Sequence, residues 1–180
     1  PDAFLRPGAP VPGAPPGTGN NSGTFDKAYN HVNYRSEPLT ARLGLTASVD
    51  DFSKAEVVGS YGTAFGSATY GDPDTPVFLA NSRDPVVFRV GVGASDQLHS
   101  FTVGGHTFPL EPGMKGSQMM SARTITAGET IDAHLGAAGG RAGYTGDFLF
   151  QDARMPFAAA GMWGILRVLP PGDKAAPAPL

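Results

Sequence analysis

Short strand-like segments follow one another at regular spacing from about Pro76 to Leu169, and this pattern constrains the fold more than any other feature of the sequence. The segments are rich in β-branched and aromatic residues, and Gly, Pro, Asp or Asn separates each from the next. Strands of this length and spacing are typical of a β-sandwich or barrel, so we expect an all-β fold. The predicted strands are Val77–Ala80, Pro85–Val92, His99–Val103, His106–Leu110, Gln118–Ile125, Thr130–Leu135, Asp147–Gln151 and Met162–Leu169.

The composition agrees with many turns and argues against a helical bundle. Gly (25) and Pro (17) together make up nearly a quarter of the 180 residues. The formal net charge is −3 and the basic residues are scattered, so no nucleic-acid partner is expected. No apolar run approaches the roughly 20 residues of a membrane-spanning helix.

The sequence contains no cysteine. Disulfides and thiolate catalysis are therefore excluded. A blue-copper centre is excluded as well, because it needs a thiolate ligand.

Stretches rich in Pro flank the strand-rich part. Residues 1–24 are predicted to be a Pro/Gly-rich arm, held by a neighbouring domain or subunit or folded back on its own domain. Residues 25–75 are predicted to be a connector with a short helix, near 47–57, or strands. Residues 76–170 form the predicted β-domain, and residues 171–180 form a Pro/Ala-rich tail.

The segment that ends in Gly161-Met162 resembles the copper-binding end of a multicopper oxidase domain, which has a cupredoxin fold. In that family a Cys flanked by two His precedes a further His and then Gly-Met. The Cys position holds Asp152 in this sequence, and its two flanking positions hold Gln151 and Ala153. The later His position holds Phe157. The spacing is retained, while the ligands are replaced.

The segment from His99 to His106 resembles the other copper motif of the same family, in which histidines occupy the first, fourth, sixth and eighth places. His99 and His106 retain the first and eighth places. Thr102 and Gly104 stand where the family has ligands of its trinuclear copper cluster. The resemblance therefore implies that this domain lacks that cluster.

Gly104-Gly105 predicts a two-residue hairpin turn, because both positions tolerate positive φ. Such a hairpin pairs Val103 with His106 and His99 with Leu110. The two histidines then share an apolar face roughly 13 Å apart. One zinc or copper ion cannot bridge them, since its nitrogen ligands lie about 2 Å away. We expect a core hairpin in which each histidine is hydrogen-bonded.

The resemblance leaves one alternative, a weak site for a hard or borderline cation. His99 and Met162 match a type 1 copper histidine and the axial methionine, and Asp152 takes the thiolate position. Phe157 would close such a site with an apolar ring, which favours a filled pocket. We therefore expect no metal and no catalytic or cofactor-binding residue in this chain.

Two further features lie outside these two motifs. The single tryptophan, Trp163, enters an apolar strand and is predicted to fill the core between the two sheets. The segment Tyr34-Arg35-Ser36-Glu37-Pro38-Leu39 resembles one found between domains in large ceruloplasmin-like bacterial copper oxidases. The alternative for this segment is a plain extended stretch that ends at a proline.

The resemblance implies a cupredoxin-like Greek-key β-sandwich with extended arms at both ends. The chain is then expected to be a copper-free domain or subunit of a multicopper-oxidase-type protein, with a structural or assembly role. Any copper would lie elsewhere in the assembly, and the partners would be other cupredoxin domains or subunits. Such proteins are usually exported, so we expect an extracellular, cell-surface or periplasmic location.

Two other hypotheses stay open at this point. The chain could be a structural β-sandwich subunit of a shell or filament whose arms bind neighbours. Alternatively, the domain alone is a metallo-oxidase that uses His99, His134 or Met162. Metal analysis separates these hypotheses, because they differ in where copper is found.

Overall fold

The structure is a computed structural model that describes residues 37–44, 63–93 and 97–176. The predicted arm at 1–24 and the predicted helix near 47–57 lie outside the described residues. Within the described part, no helix is both long enough and apolar enough to cross a membrane.

The described residues are mainly short strands. The strands are β1 (Phe78–Asn81), β2 (Val86–Gly91), β3 (His99–Val103), β4 (Phe108–Pro109), β5 (Met119–Met120), β6 (Ala122–Ile125), β7 (Thr130–Leu135), β8 (Gly146–Asp152) and β9 (Trp163–Leu169). The helices are α1 (Leu39–Arg42), α2 (Ser67–Tyr70) and α3 (Met155–Ala159). Every predicted strand is present, and β3 and β7 have the predicted bounds. The segment Gln118–Ile125 is divided into β5 and β6, and β4 is shorter than predicted.

The strands form three sheets. The largest has the order β1-β9-β8-β3-β6, and β2-β7 and β4-β5 form two-stranded sheets. Only β1 and β9 run parallel among these pairs. The chain passes to another sheet between every two consecutive strands except β4 and β5, and β8 and β9. The predicted all-β sandwich is confirmed.

The main core lies between the five-stranded sheet and the β2-β7 pair. In β7, Ile131, Ala133 and Leu135 are buried, while the residues between them are exposed. This alternation follows from the two-residue period of a strand. Phe88 of β2 packs against the ring of Phe150 in β8, with 5.2 Å between the ring centroids. The two layers are thus joined by aromatic side chains.

The outer face of the five-stranded sheet is also buried. Leu166 and Val168 of β9 lie in the main core, whereas Trp163 and Ile165 lie in a second cluster with Leu39 of α1. Trp163 therefore does not fill the space between the sheets, and that prediction is wrong. Residues 163 and 166 are an odd number of positions apart, so their side chains point to opposite faces of the sheet.

Arg42 holds the second cluster together from within. Its guanidinium donates from Nε to the carbonyl of Ala64 (2.6 Å) and from Nη2 to that of Gly71 (2.7 Å). Nη1 donates to a carboxylate oxygen of Glu37 (2.9 Å), and the Arg42 side chain is only 1% exposed. The two described parts of the predicted connector, residues 37–44 and 63–75, are joined by these bonds.

β3 and β4 do not form the predicted hairpin. β3 pairs with β6 and β8, whereas β4 pairs with β5. The turn itself exists, because the His106 N–H donates to the Val103 carbonyl (3.1 Å). Of the two glycines in this turn, Gly104 and Gly105, only Gly105 has a positive φ (69°), as at the third position of a type II turn. Turns of that type do not match the twist of paired strands, so the chain leaves the sheet here.

Candidate metal-binding corner

The residues that the resemblance assigns to a type 1 copper site meet at one corner of the sandwich. His99 begins β3, Asp152 ends β8, Phe157 lies in α3, and Met162 immediately precedes β9. The pairing of Phe101 with Asp152 brings the start of β3 beside the end of β8. The Asp152 N–H donates to the Met162 carbonyl (3.0 Å). The Met162 N–H in turn donates to the Phe157 carbonyl (3.0 Å).

The carboxylate of Asp152 is engaged through both oxygens. Oδ2 lies 2.7 Å from Nδ1 of His99. Oδ1 accepts hydrogen bonds from the backbone N–H of Ser100 (3.2 Å) and of Arg154 (2.8 Å). The His99 and Asp152 side chains are only 5% and 2% exposed. A buried carboxylate is tolerated in a fold when its oxygens are satisfied in this way.

An aromatic ring closes the corner. The Phe157 ring centroid lies 4.7 Å from that of His99, and Phe157 is fully buried. The guanidinium of Arg154 lies over the same ring at 4.7 Å. Arg154 also donates from Nη1 to the carbonyl of Leu98 (2.6 Å), so it ties this loop to the residue before β3.

The residues at this corner do not fit a type 1 copper ion. The sequence has no cysteine to supply a thiolate, and Phe157 has no donor atom. Both oxygens of Asp152 already accept hydrogen bonds. Within residues 37–44, 63–93 and 97–176, no group of three or more His, Cys, Asp or Glu is placed to hold a metal ion.

His106 has a different set of partners. Its Nδ1 lies 2.8 Å from the carbonyl of Gly104, and Nε2 accepts from the N–H of Gly139 (3.0 Å) and Gly140 (3.2 Å). A carbonyl accepts and an N–H donates, so Nδ1 carries the proton. His99 and His106 are both buried and hydrogen-bonded, as expected. Their positions follow from separate partners rather than from a shared hairpin.

His134 lies apart from the corner. It is exposed on β7, opposite Val87 of β2, in a different sheet from His99. The structure therefore brings together His99, Asp152 and Met162 of the candidate residues, but not His134.

Ser100 and Arg154 were not among the predicted site residues. The available signal was local, since an Asp two residues before a backbone N–H, at the start of a helix, often forms an Asx turn. Asp152-Ala153-Arg154 before α3 has this pattern. The Ser100 contact could not be read locally, because it crosses from β8 to β3.

A second charged group lies away from the corner. Arg167 of β9 donates to both carboxylate oxygens of Asp147 (2.7 and 3.0 Å) and to both of Asp72 (3.0 and 2.6 Å). The hydrogen bonds from Arg167 lower the pKa of Asp72 from its ordinary value. Those with Asp147 and Asp72 raise the pKa of Arg167. The group joins the turn after α2 to β8 and β9.

Comparison with known proteins gives structural neighbours only. No protein-family profile matches the sequence, and no curated protein matches it. A solved multicopper oxidase matches with a TM-score of 0.43 and 23% identity, covering 53% of this chain and 33% of its own. A multi-copper oxidase from Pediococcus acidilactici matches with a TM-score of 0.45 and 12% identity, covering 54% of this chain and 22% of its own. A Cu-containing nitrite reductase from Thermus scotoductus SA-01 matches with a TM-score of 0.44 and 16% identity, covering 58% of this chain and 23% of its own.

The structural neighbours are multicopper oxidases and copper nitrite reductases, which are cupredoxin-like proteins. They are the kind of protein that the sequence motifs resemble. The chain spans about a third or less of the length of these structures. The all-β architecture itself rests on the strand order and register of this chain.

Proposed function

We propose that the chain is a copper-free cupredoxin-like domain or subunit of a multicopper-oxidase-type protein, where it has a structural or assembly role. The observation that carries the proposal is the buried contact of 2.7 Å between His99 and Asp152. It stands where the resemblance places a copper ligand pair. A carboxylate engaged by three donors, beside the apolar ring of Phe157, supports packing rather than metal coordination at this corner.

In this proposal the copper ions lie on other domains or chains of the parent assembly. The partners are other cupredoxin domains or subunits, which would supply any oxidoreductase activity. The proposed location is extracellular, cell-surface or periplasmic, by analogy with the family that the motifs resemble. Metal analysis of the parent assembly, purified from its source, should then show copper. An assembly without copper would instead point to a shell or filament.

Copper loading of the purified full chain tests the central statement. The chain is incubated with excess Cu(II), the unbound ion is removed, and bound copper is measured by mass spectrometry and electron paramagnetic resonance. We expect well under one copper per chain. One tightly held copper that is lost in His99→Ala, and retained in the exposed control His134→Ala, would overturn the proposal in favour of a metallo-oxidase.

Restoring the missing ligands tests whether the corner has the geometry that the resemblance implies. The double variant Asp152→Cys with Phe157→His keeps His99 and Met162. We expect it to bind one copper and to gain the intense visible absorption of a copper–thiolate bond. The matched control is Asp147→Cys, which places a thiol on the same strand but away from the corner. Equal copper binding by the two variants would contradict the assignment.

A further inference from the structure

We infer that Asp152 cross-links this corner of the sandwich in the place where the resemblance puts a metal ion. The inference rests on the proposed function, because the copper-free assignment defines the corner. A metal held by the four corresponding positions would join β3, β8, α3 and the residue before β9. The bonds of Asp152 reach the same parts of the chain.

Each connection is made by a separate atom or bond of this one residue. Oδ2 contacts the ring of His99, and Oδ1 accepts from Ser100, so β8 is joined to β3. Oδ1 also accepts from the N–H of Arg154, which leads into α3. The backbone N–H donates to the carbonyl of Met162, just before β9. One side chain and one amide therefore bridge all four parts.

A carboxylate suits this position better than a neutral side chain. Hydrogen bonds to an ionised acceptor are about twice as strong as neutral ones. Burial keeps water from competing for the same donors. An asparagine amide carries no charge and has a single acceptor oxygen, so its –NH2 group can keep the contact with His99 only if the imidazole adopts the tautomer in which Nδ1 accepts.

Arg154 completes the closure from outside. Its guanidinium covers the Phe157 ring, and its bond to the Leu98 carbonyl fastens the loop to the start of β3. The positive charge of Arg154 also disfavours the approach of a metal cation to the corner. The corner is thus held by hydrogen bonds and an aromatic contact.

The test compares Asp152→Asn with Asp132→Asn in the full chain. Asp132 is 46% exposed and lies 3.8 Å from the exposed Arg89, so it serves as a surface control. In buffer with a chelator at neutral pH, we expect Asp152→Asn to lower the melting temperature by roughly 6 °C or more. The control should change it by less than about 3 °C. Equal melting temperatures for the two variants would overturn the inference.

Amide hydrogen exchange of the wild-type chain keeps the inference testable if Asp152→Asn does not fold. The Arg154 N–H donates to the Asp152 side chain, so it should exchange much more slowly than amides in exposed loops. Exchange at the loop rate would overturn the cross-link.

The rebuilt variant, Asp152→Cys with Phe157→His, supplies an independent measurement. In buffer with a chelator it should melt below the wild type, because neither the carboxylate nor an ion then joins these parts of the chain. Zinc that binds the folded variant should raise its melting temperature again. A rebuilt variant that melts at or above the wild type in the chelator would contradict the inference. Copper binding by the wild type would overturn the proposed function, whereas a failed cross-link would leave the copper-free assignment in place.

Discussion

The indole N–H of Trp163 donates a hydrogen bond of 2.8 Å to the backbone carbonyl of Glu37, 126 residues earlier in the chain. The bond fixes the start of α1 against the first residue of β9. The Phe65 ring meets the indole edge-on at 5.0 Å, and the Arg42 guanidinium lies 5.2 Å from its centre. The outer face of the five-stranded sheet is therefore covered by residues from the N-terminal part of the chain.

Trp163→Phe should destabilise the fold by about 1–3 kcal/mol, because it removes buried volume and leaves the Glu37 carbonyl without its donor. Urea unfolding followed by circular dichroism measures the change, since the substitution removes the only tryptophan. The control is Tyr144→Phe, at a residue 70% exposed, which should be nearly neutral. Equal stability of both variants would contradict the importance of this contact.

Arg42→Lys should also lower the free energy of unfolding, by about 2–4 kcal/mol. A lysine ammonium cannot reproduce the forked donors that reach Ala64, Gly71 and Glu37, and its charge stays buried. The matched control is Arg89→Lys, whose side chain is 83% exposed and whose pair with Asp132 is long, at 3.8 Å. We expect the control to change stability by less than about 0.5 kcal/mol. Thermal unfolding of both variants checks the contrast, and a small effect of Arg42→Lys would show that the guanidinium network is dispensable.

Gly164→Ala should destabilise the sheet by about 1–3 kcal/mol through overpacking. A Cβ at this position of β9 would lie 2.9 Å from two ring carbons of Phe150 on β8, and both residues are enclosed in the core. Gly136→Ala is the control, because a Cβ there meets nothing within 4 Å. Chemical denaturation distinguishes the two, and similar midpoints would mean that the Phe150 ring can move aside.

The Asp72–Arg167 pair predicts a small pH dependence. The pKa of Asp72 is lowered in the fold from its ordinary value of 3.8, so the pair stabilises the protein above about pH 4. That contribution is lost as the pH falls through the lowered pKa. Asp72 is half exposed, so the effect should be below about 1 kcal/mol. The stability difference between wild type and Asp72→Asn should therefore shrink towards zero in acid. A difference that grows below pH 4 would reverse the expected sign.

Much of the fold could be predicted from local sequence. The alternation of buried and exposed residues in β7, and the turn residues on either side, gave its bounds as Thr130–Leu135. The pairing of strands could not be read in this way. β3 was expected to pair with β4 across Gly104-Gly105, but it pairs with β6 and β8. The turn is local, whereas the choice of partner depends on the packing of the whole sandwich.

The candidate site was predictable in identity but not in its connections. The family resemblance placed Asp152, Phe157 and Met162 at one corner, and the structure brings them there beside His99. The hydrogen bonds of Ser100 and Arg154 to the carboxylate were not anticipated. Backbone donors have no sequence signature of their own, so only the assembled strands show which acceptor they meet.

The sequence alone determined that the chain is built of short strands and that it has no thiolate for a blue-copper ion, because residue type and two-residue periodicity are local properties. The tertiary structure decided which face Trp163 occupies and which groups Asp152 binds. Those outcomes depend on contacts between residues far apart in the chain. Their energies are settled only when the two sheets and the covering N-terminal segment pack together.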